Sequence, residues 1–332
     1  MSRLLLVLVT ALSIGAPLQS DLGTPSRTGL VVSTSSIASD AGAAVLADGG
    51  NAIDAAVATA FALAVTHPAA GNIGGGGFIV VRMPDGSARA FDFREKAPGK
   101  STETMYVGAD GKIDRALTSH GYLAPGVPGS VRGLALAHGT LGKLPWKRLV
   151  DPAVALARDG FVLHASLANS LNAQLKGTMG TFPSSVEAYG KPGGGDWQAG
   201  DRIVLSDLGK TLQAIADDGP DAFYKGWVAD ALARDMKANG GIITTDDLAK
   251  YEAKERTPLK GTFNGFEIVS MPPPSSGGVA LIEMLNILET LEVDTLPAQS
   301  AEAKHLQIEA MRRAYLDRAR YLGDPDFSDI PV

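Results

Sequence analysis

The segment FDFREKAP, residues 91–98, sets Arg94 and Glu95 side by side where a run of alternating aromatic residues stops. A guanidinium can hold a carboxylate through two parallel hydrogen bonds that fix its position and its plane, which suits an amino-acid α-carboxylate. The same arginine could instead be satisfied inside the chain by Asp92 or Glu95, and the segment alone leaves both readings open. Strand alternation places Arg89, Phe91 and Phe93 on one face and Ala90, Asp92 and Arg94 on the other, so Arg94 leaves its strand opposite the phenylalanines.

Other reactive residue types lead less far. Gly74 to Gly77 form an unbroken glycine run between a helical and a strand-like segment. A dinucleotide fingerprint needs its glycines after a strand and before a helix, the reverse of this order, and no Gly-Lys-Ser/Thr follows. The run therefore reads as close packing of backbone, with Gly75 and Gly76 as secondary candidates for lining a pocket. Ser275 and Ser276, in PPPSSGG, lack both the Gly-x-Ser-x-Gly elbow and a His-Asp pair to orient a nucleophile. They read as the cap of the following helix, with a pocket-lining role as the lesser alternative. Thr244-Thr245, in GGIITTDDL, likewise reads as a helix start and not a nucleophile. Of the histidines (67, 120, 138, 164 and 305), only His305 has an acidic partner at helical spacing, Glu309, which is half a metal site at most. No protein-bound catalytic metal is expected.

The elements that must position these residues are legible as punctuation. GLVVSTSS reads as a strand, and IASDAGAAVLADGG as a helix ended by Gly49-Gly50. NAIDAAVATAFALAVTHP is apolar on nearly every side and stops before Pro68, so it reads as a core helix. Residues 78–83 and 88–94 form a hairpin about Asp85-Gly86, and Asn264-Gly265 marks a second hairpin. Residues 130–239 are mostly helical, with Asp151-Pro152 read as a cap with proline at the first helical position. Gly160, Gly219 and Gly240-Gly241 read as helix terminators, and YGKPGGGDWQAGD as a loop. A helix over about 279–291 and a long last helix ending at Gly323 complete a mixed α and β domain in which helices dominate.

Composition narrows the function classes. At 332 residues, with 45% apolar and 20% charged residues, the chain is long enough for a sizeable core and unlike a disordered or fibrous protein. A net charge of -6 without a basic block argues against nucleic acid as the partner. The start, MSRLLLVLVTALSIGAPLQSDLG, reads as a signal peptide over residues 1–20: one arginine, then an apolar run too short to span a bilayer, so no membrane anchor is expected. Export, to the periplasm or the medium, combined with the absence of cysteine leaves no disulfide or thiolate chemistry.

Six segments, in order, carry a resemblance: ASDAGAAVLADGGNAIDAAVATAFALAV, GNIGGGGFIVV, FDFREKAP, PGVPGSVRGL, MPPPSSGGVALIEMLNILE and EAMRRAYLDRARYLGDPDF. Together they resemble the γ-glutamyltransferase (glutathione hydrolase) family of N-terminal-nucleophile hydrolases, over residues 29–332. The resemblance implies an α+β fold, a four-layer αββα sandwich shared by a large and a small subunit that a precursor produces by cutting itself. It implies γ-glutamyl transfer or hydrolysis of glutathione-like amides by the new N-terminal threonine of the small subunit, with its own α-amino group as base and no cofactor. The arginine of the family's DFRE-type motif, which grips the γ-glutamyl α-carboxylate, falls on Arg94. Glu95, Gly75, Gly76, Ser275 and Ser276 remain as pocket-lining candidates.

No threonine up to Val332 matches the family's processing site, so the nucleophile is expected downstream of Val332 and this chain supplies one wall of the site. Alone it is expected to be inactive and poorly soluble, since the small subunit shares its sheets and core. The competing expectations are an exported acylase with another carboxylate-bearing substrate and a non-catalytic binding protein that uses the Arg94 pocket.

Overall fold

A computed structural model describes residue 26 and residues 29–331 of the chain. The expected signal peptide lies outside the described residues. GLVVSTSS, expected as a strand, joins no ladder: residues 29–35 are irregular, with Val32 81% exposed. Strand propensity counts only where a neighbouring strand takes up the backbone groups, and no described strand lies alongside.

The first helix, α1 (Ser36–Ala47), is capped by Ser35, whose Oγ accepts from the Ala38 amide. Asp48 and Gly49, the latter at φ +87°, turn the chain into α2 (Ala52–Thr66). There Asn51 and Asp54 form a reciprocal capping box. Asp54 is fully buried, and its carboxylate also accepts from the Lys143 and Leu144 amides, which ties the start of α2 to a distant turn. As its all-round apolar pattern requires, α2 is a core helix, with Val57, Phe61 and Val65 out of contact with water.

The glycine run feeds β1 (Phe78–Arg82), which turns at Gly86 (φ +86°) into β2 (Ala88–Asp92), paired from Phe78↔Asp92 to Arg82↔Ala88. The short α3 (Arg115–Ser119) precedes α4 (Ser130–Leu141), which packs on β2 with Gly133 against the Phe93 ring. The next helix, α5 (Trp146–Asp159), corrects an expectation: Pro152 lies inside it and does not begin it. An interior proline costs about 3 kcal/mol. Leu149, Val150, Ala153, Val154 and Ala157 are all buried on this helix, and each large aliphatic side chain contributes about 1.5–3 kcal/mol, so packing outweighs the break.

Gly160 (φ +76°) leads into β3 (Phe161–Val162), followed by α6 (Ala165–Lys176) and α7 (Pro183–Tyr189). The expected loop after α7 is pinned by buried Trp197, whose indole donates to the Tyr189 carbonyl at 2.8 Å, and it runs to β4 (Arg202–Ile203), the partner of β3. Then come α8 (Ser206–Asp218), α9 (Asp221–Tyr224), α10 (Trp227–Ala238) and α11 (Thr245–Ala249). Gly219 and Gly240, both in the left-handed region, separate them as expected. Thr244 caps α11 in a capping box with Asp247, as its sequence context requires.

The three residues of β5 (Lys254–Arg256) add to β2 and complete the sheet β1-β2-β5. The second expected hairpin is β6 (Leu259–Phe263) and β7 (Phe266–Ser270), with Asn264 at φ 47° and Gly265 at φ 80°, the two positive angles that a tight primed turn demands. Finally α12 (Gly277–Thr290) packs on β6 and on the long α13 (Ala301–Tyr321). The fold is α+β with helices dominant, and its main core lies where α2, α4, α5 and α8 meet one another and the β2 side of the sheet. No helix among the described residues is long and apolar enough to cross a membrane.

Candidate active site

Arg94 stands just past the end of β2, and its backbone is held from both sides. Its amide donates to Asp92 Oδ1 at 3.1 Å, while its carbonyl accepts from the Tyr251 hydroxyl at 2.8 Å. The other carboxylate oxygen, Asp92 Oδ2, accepts from Arg256 Nε at 3.0 Å and Nη2 at 2.9 Å in a largely buried pair. Asp92 is therefore spent on Arg256 of β5, which removes it as the internal partner of the Arg94 guanidinium. Burial, then the neighbouring Tyr224, Asp92 and Glu95, push the Tyr251 hydroxyl well above the usual phenol range, so it stays a proton donor to Arg94. The Tyr224 ring stacks on it at 5.9 Å between centroids.

The glycines work behind this clamp. A Cβ on Gly76 would lie 2.8 Å from the Glu95 nitrogen and 3.0 Å from Arg94 Cα. The Gly75 carbonyl accepts from the amides of Gly129 (2.7 Å) and Ser130 (3.0 Å), seating the start of α4. Neither Gly75 nor Gly76 borders the cleft described next, so both act as close-packed backbone support.

The Arg94 side chain is exposed. Its Nη1 donates to the Pro274 carbonyl at 3.3 Å, and no carboxylate of the described residues forms an ion pair with it, Glu95 included. It opens into a cleft of about 390 Å³ bordered by Glu95, Pro274, Ser276, Arg318 and Asp324. Ser276 occupies the position before α12, yet its hydroxyl caps nothing; it accepts from Arg318 Nε at 2.8 Å. The expectation that Ser275 and Ser276 cap α12 is thus corrected: the charge on Arg318, one helix away, is the stronger partner for the hydroxyl. Ser275 does not border the cleft.

A smaller adjoining pocket runs from Arg94 and Glu95 to Arg256 and Asp326. Asp326 accepts from Lys254 at 2.7 Å and from Arg256 at 2.9 and 3.1 Å, and these bonds lower its carboxyl to about 2. Tyr251, Arg256, Arg318 and Asp326 are the residues that sequence reasoning passed over. Isolated charges on short strands and helix faces look like solvated surface until distant partners meet; the one local sign was the cluster of arginines and aspartates in DRARYLGDPDF.

No cluster of metal-ligating side chains occurs among the described residues. His138 Nε2 bonds the Leu144 carbonyl, His164 Nδ1 caps α6, and Glu309 binds Arg312 and Arg313 instead of serving His305. Chemically, the site is a rigidly mounted guanidinium in an open, polar, mixed-charge cleft, suited to a carboxylate-bearing small molecule.

The family model for Gamma-glutamyltranspeptidase matches residues 38–332. The glutathione hydrolase proenzyme of Escherichia coli (strain K12) is 45% identical over 307 residues, covering 92% of this chain and 52% of that protein. An acylase ACY 1 proenzyme from Pseudomonas sp. (strain SE83) is 41% identical over 310 residues, covering 92% of this chain and 55% of that protein. The chain spans about half the length of these curated relatives. The crystal structure of Helicobacter pylori gamma-glutamyltranspeptidase is similar at a TM-score of 0.90 and 45% identity, over 93% of this chain and 88% of that chain. With the family model matching residues 38–332 and a solved structure similar over 93% of this chain, the chain belongs to the gamma-glutamyltranspeptidase family, as its large-subunit portion.

Proposed function

We propose that this chain is the large-subunit portion, residues 29–332, of an exported precursor that cleaves itself and then transfers or hydrolyses the γ-glutamyl group of glutathione-like amides. The nucleophile is the N-terminal threonine of a small subunit, in the half of the relatives' length that this chain does not span, and the chain alone is inactive. The threonine hydroxyl, its proton taken by the adjacent α-amine, attacks the γ-amide carbonyl. The amine leaves with a proton, and water or a second amine then attacks the acyl-enzyme and frees the threonine.

The part played by this chain is positioning. Arg94 holds the α-carboxylate of the γ-glutamyl group, and Glu95 supplies the same cleft with a negative charge that complements an α-ammonium. The observation that carries this reading is the Arg94 guanidinium itself: its backbone is clamped at both the amide and the carbonyl, yet no described carboxylate pairs with it. The exposed row Ile308, Met311 and Tyr315, at helical spacing on α13, supports a small subunit packed on that side.

The test compares Arg94→Lys and Arg94→Ala in the complete precursor, with self-cleavage followed on a gel and a γ-glutamyl anilide as substrate. A lysine keeps the charge but loses the two-pronged geometry, so KM is expected to rise by about tenfold, and further for alanine, with a smaller change in kcat. An anilide whose acyl group lacks the α-carboxylate should not distinguish the variants. Unchanged KM for the γ-glutamyl anilide in both variants overturns the reading.

The similarity to the acylase proenzyme favours a second reading, an acylase for another carboxylate-bearing acyl group. A higher kcat/KM for a glutaryl amide than for the γ-glutamyl amide selects it.

A further inference from the structure

We propose that Arg318 forms a second anion subsite in the Arg94 cleft, one that takes a carboxylate carried by the amine portion of the substrate, either the leaving amine or the acceptor. This rests on Arg94 holding the α-carboxylate. Both guanidiniums border the same cleft of about 390 Å³, a size suited to a peptide-like small molecule.

Arg318 is placed as a binding group and not as a surface ion pair. Its own helix offers it no acid at pairing distance along the face: the residues three and four positions away are Tyr315, Ala314, Tyr321 and Leu322. Earlier on α13, by contrast, Glu309 takes both Arg312 and Arg313. No carboxylate of the described residues forms an ion pair with Arg318. Asp324 borders the cleft, but its Oδ1 accepts from the Asp326 amide at 2.9 Å. The single side-chain bond of Arg318 is from Nε to Ser276 Oγ at 2.8 Å, which orients the group and leaves both terminal nitrogens as an end-on fork for a carboxylate.

Chemistry then assigns the side. A γ-glutamyl group bound by its α-carboxylate at Arg94 has no other free carboxylate, because its second carboxyl is the scissile amide. An anion at Arg318 therefore belongs to the amine portion, and the cleft discriminates between amines that carry a carboxylate and amines that do not.

The experiment uses the complete, self-cleaved precursor and two donors, γ-glutamyl-glycine and γ-glutamyl-glycinamide, which differ only in the terminal carboxylate. In Arg318→Ala the ratio of kcat/KM for the first to kcat/KM for the second is expected to fall about tenfold, with Arg318→Lys between it and the parent. Ser276→Ala, which loosens the guanidinium without removing it, covers the case in which Arg318→Ala fails to cleave itself; its ratio should fall about two- to threefold. A ratio unchanged in both Arg318→Ala and Ser276→Ala overturns the subsite. If instead Arg94→Ala leaves kcat/KM of both donors at the parent value, it is the Arg94 reading that fails, whatever the Arg318 ratio does.

Discussion

Asp92 is the residue on which the site turns. A carboxylate two positions before Arg94 is well placed to neutralise it, but Arg256 reaches Asp92 from β5 with two nitrogens. Asp92 then serves Arg94 through the backbone amide alone. The charge of Arg94 is left available while its Cα is fixed. Tyr251 completes that fixation, and Tyr251→Phe removes a single hydrogen bond from a ring that stays packed. We expect about 1 kcal/mol of stability to be lost, and KM for a γ-glutamyl anilide to rise severalfold with kcat changing less. Chemical denaturation and steady-state kinetics on the complete precursor check the two halves of this prediction. Arg94 was legible in the sequence because its motif is local. Its freedom from Asp92 was not, since the deciding partner lies 164 residues away.

Among the elements, α4 shows how close packing sets the site. Gly133 faces the Phe93 ring so closely that a Cβ there would overlap it, whereas a Cβ on Gly139 of the same helix would meet nothing within 4 Å. Gly133→Ala is expected to destabilise by about 1–3 kcal/mol through overpacking. Gly139→Ala should stabilise by about 0.5–1 kcal/mol through backbone entropy, and thermal unfolding of the pair separates the two effects. The contact between α12 and α13 carries a different signature. Burial, then the neighbouring Asp317, raises the Glu283 carboxyl above its usual range. A carboxyl raised on folding gives up stability as pH rises through its folded value, so Glu283→Gln should raise Tm near pH 7 and raise it less near pH 4. An equal gain at both pH values would show that Glu283 is not strained. Helices and hairpins were largely legible from periodicity, caps and the Asn-Gly and Asp-Gly turns. Pro152 was misleading because a local breaker was overridden by the buried face of α5, which only packing reveals.

Across the whole molecule, the stretch after α13 is tied back to the central sheet. Asp326 receives Lys254 and Arg256, and Arg256 passes the connection to Asp92 beside Arg94. The folded-state carboxyl of Asp326, lowered from 3.8 to about 2, contributes stability that is present above the unfolded value and lost as pH falls through that interval. Asp326→Asn should therefore lower Tm at neutral pH and flatten the acid limb of the stability curve between about pH 4 and pH 2. Thermal melts of both proteins across that range test it, and parallel acid limbs would refute it.

The sequence by itself determined the α+β class, the core role of α2, both main hairpins and the family, because each rests on periodicity, turn chemistry or the order of long segments along one chain. It also singled out Arg94. Only the tertiary structure decided that Asp92 belongs to Arg256, that Ser276 serves Arg318 and not the helix it precedes, that three residues of β5 join the sheet, and that GLVVSTSS goes unpaired among the described residues. The physical reason is common to all four: a hydrogen-bonding group takes the best partner that the fold brings within reach, and for these groups that partner, or its absence, is set by segments far away along the chain.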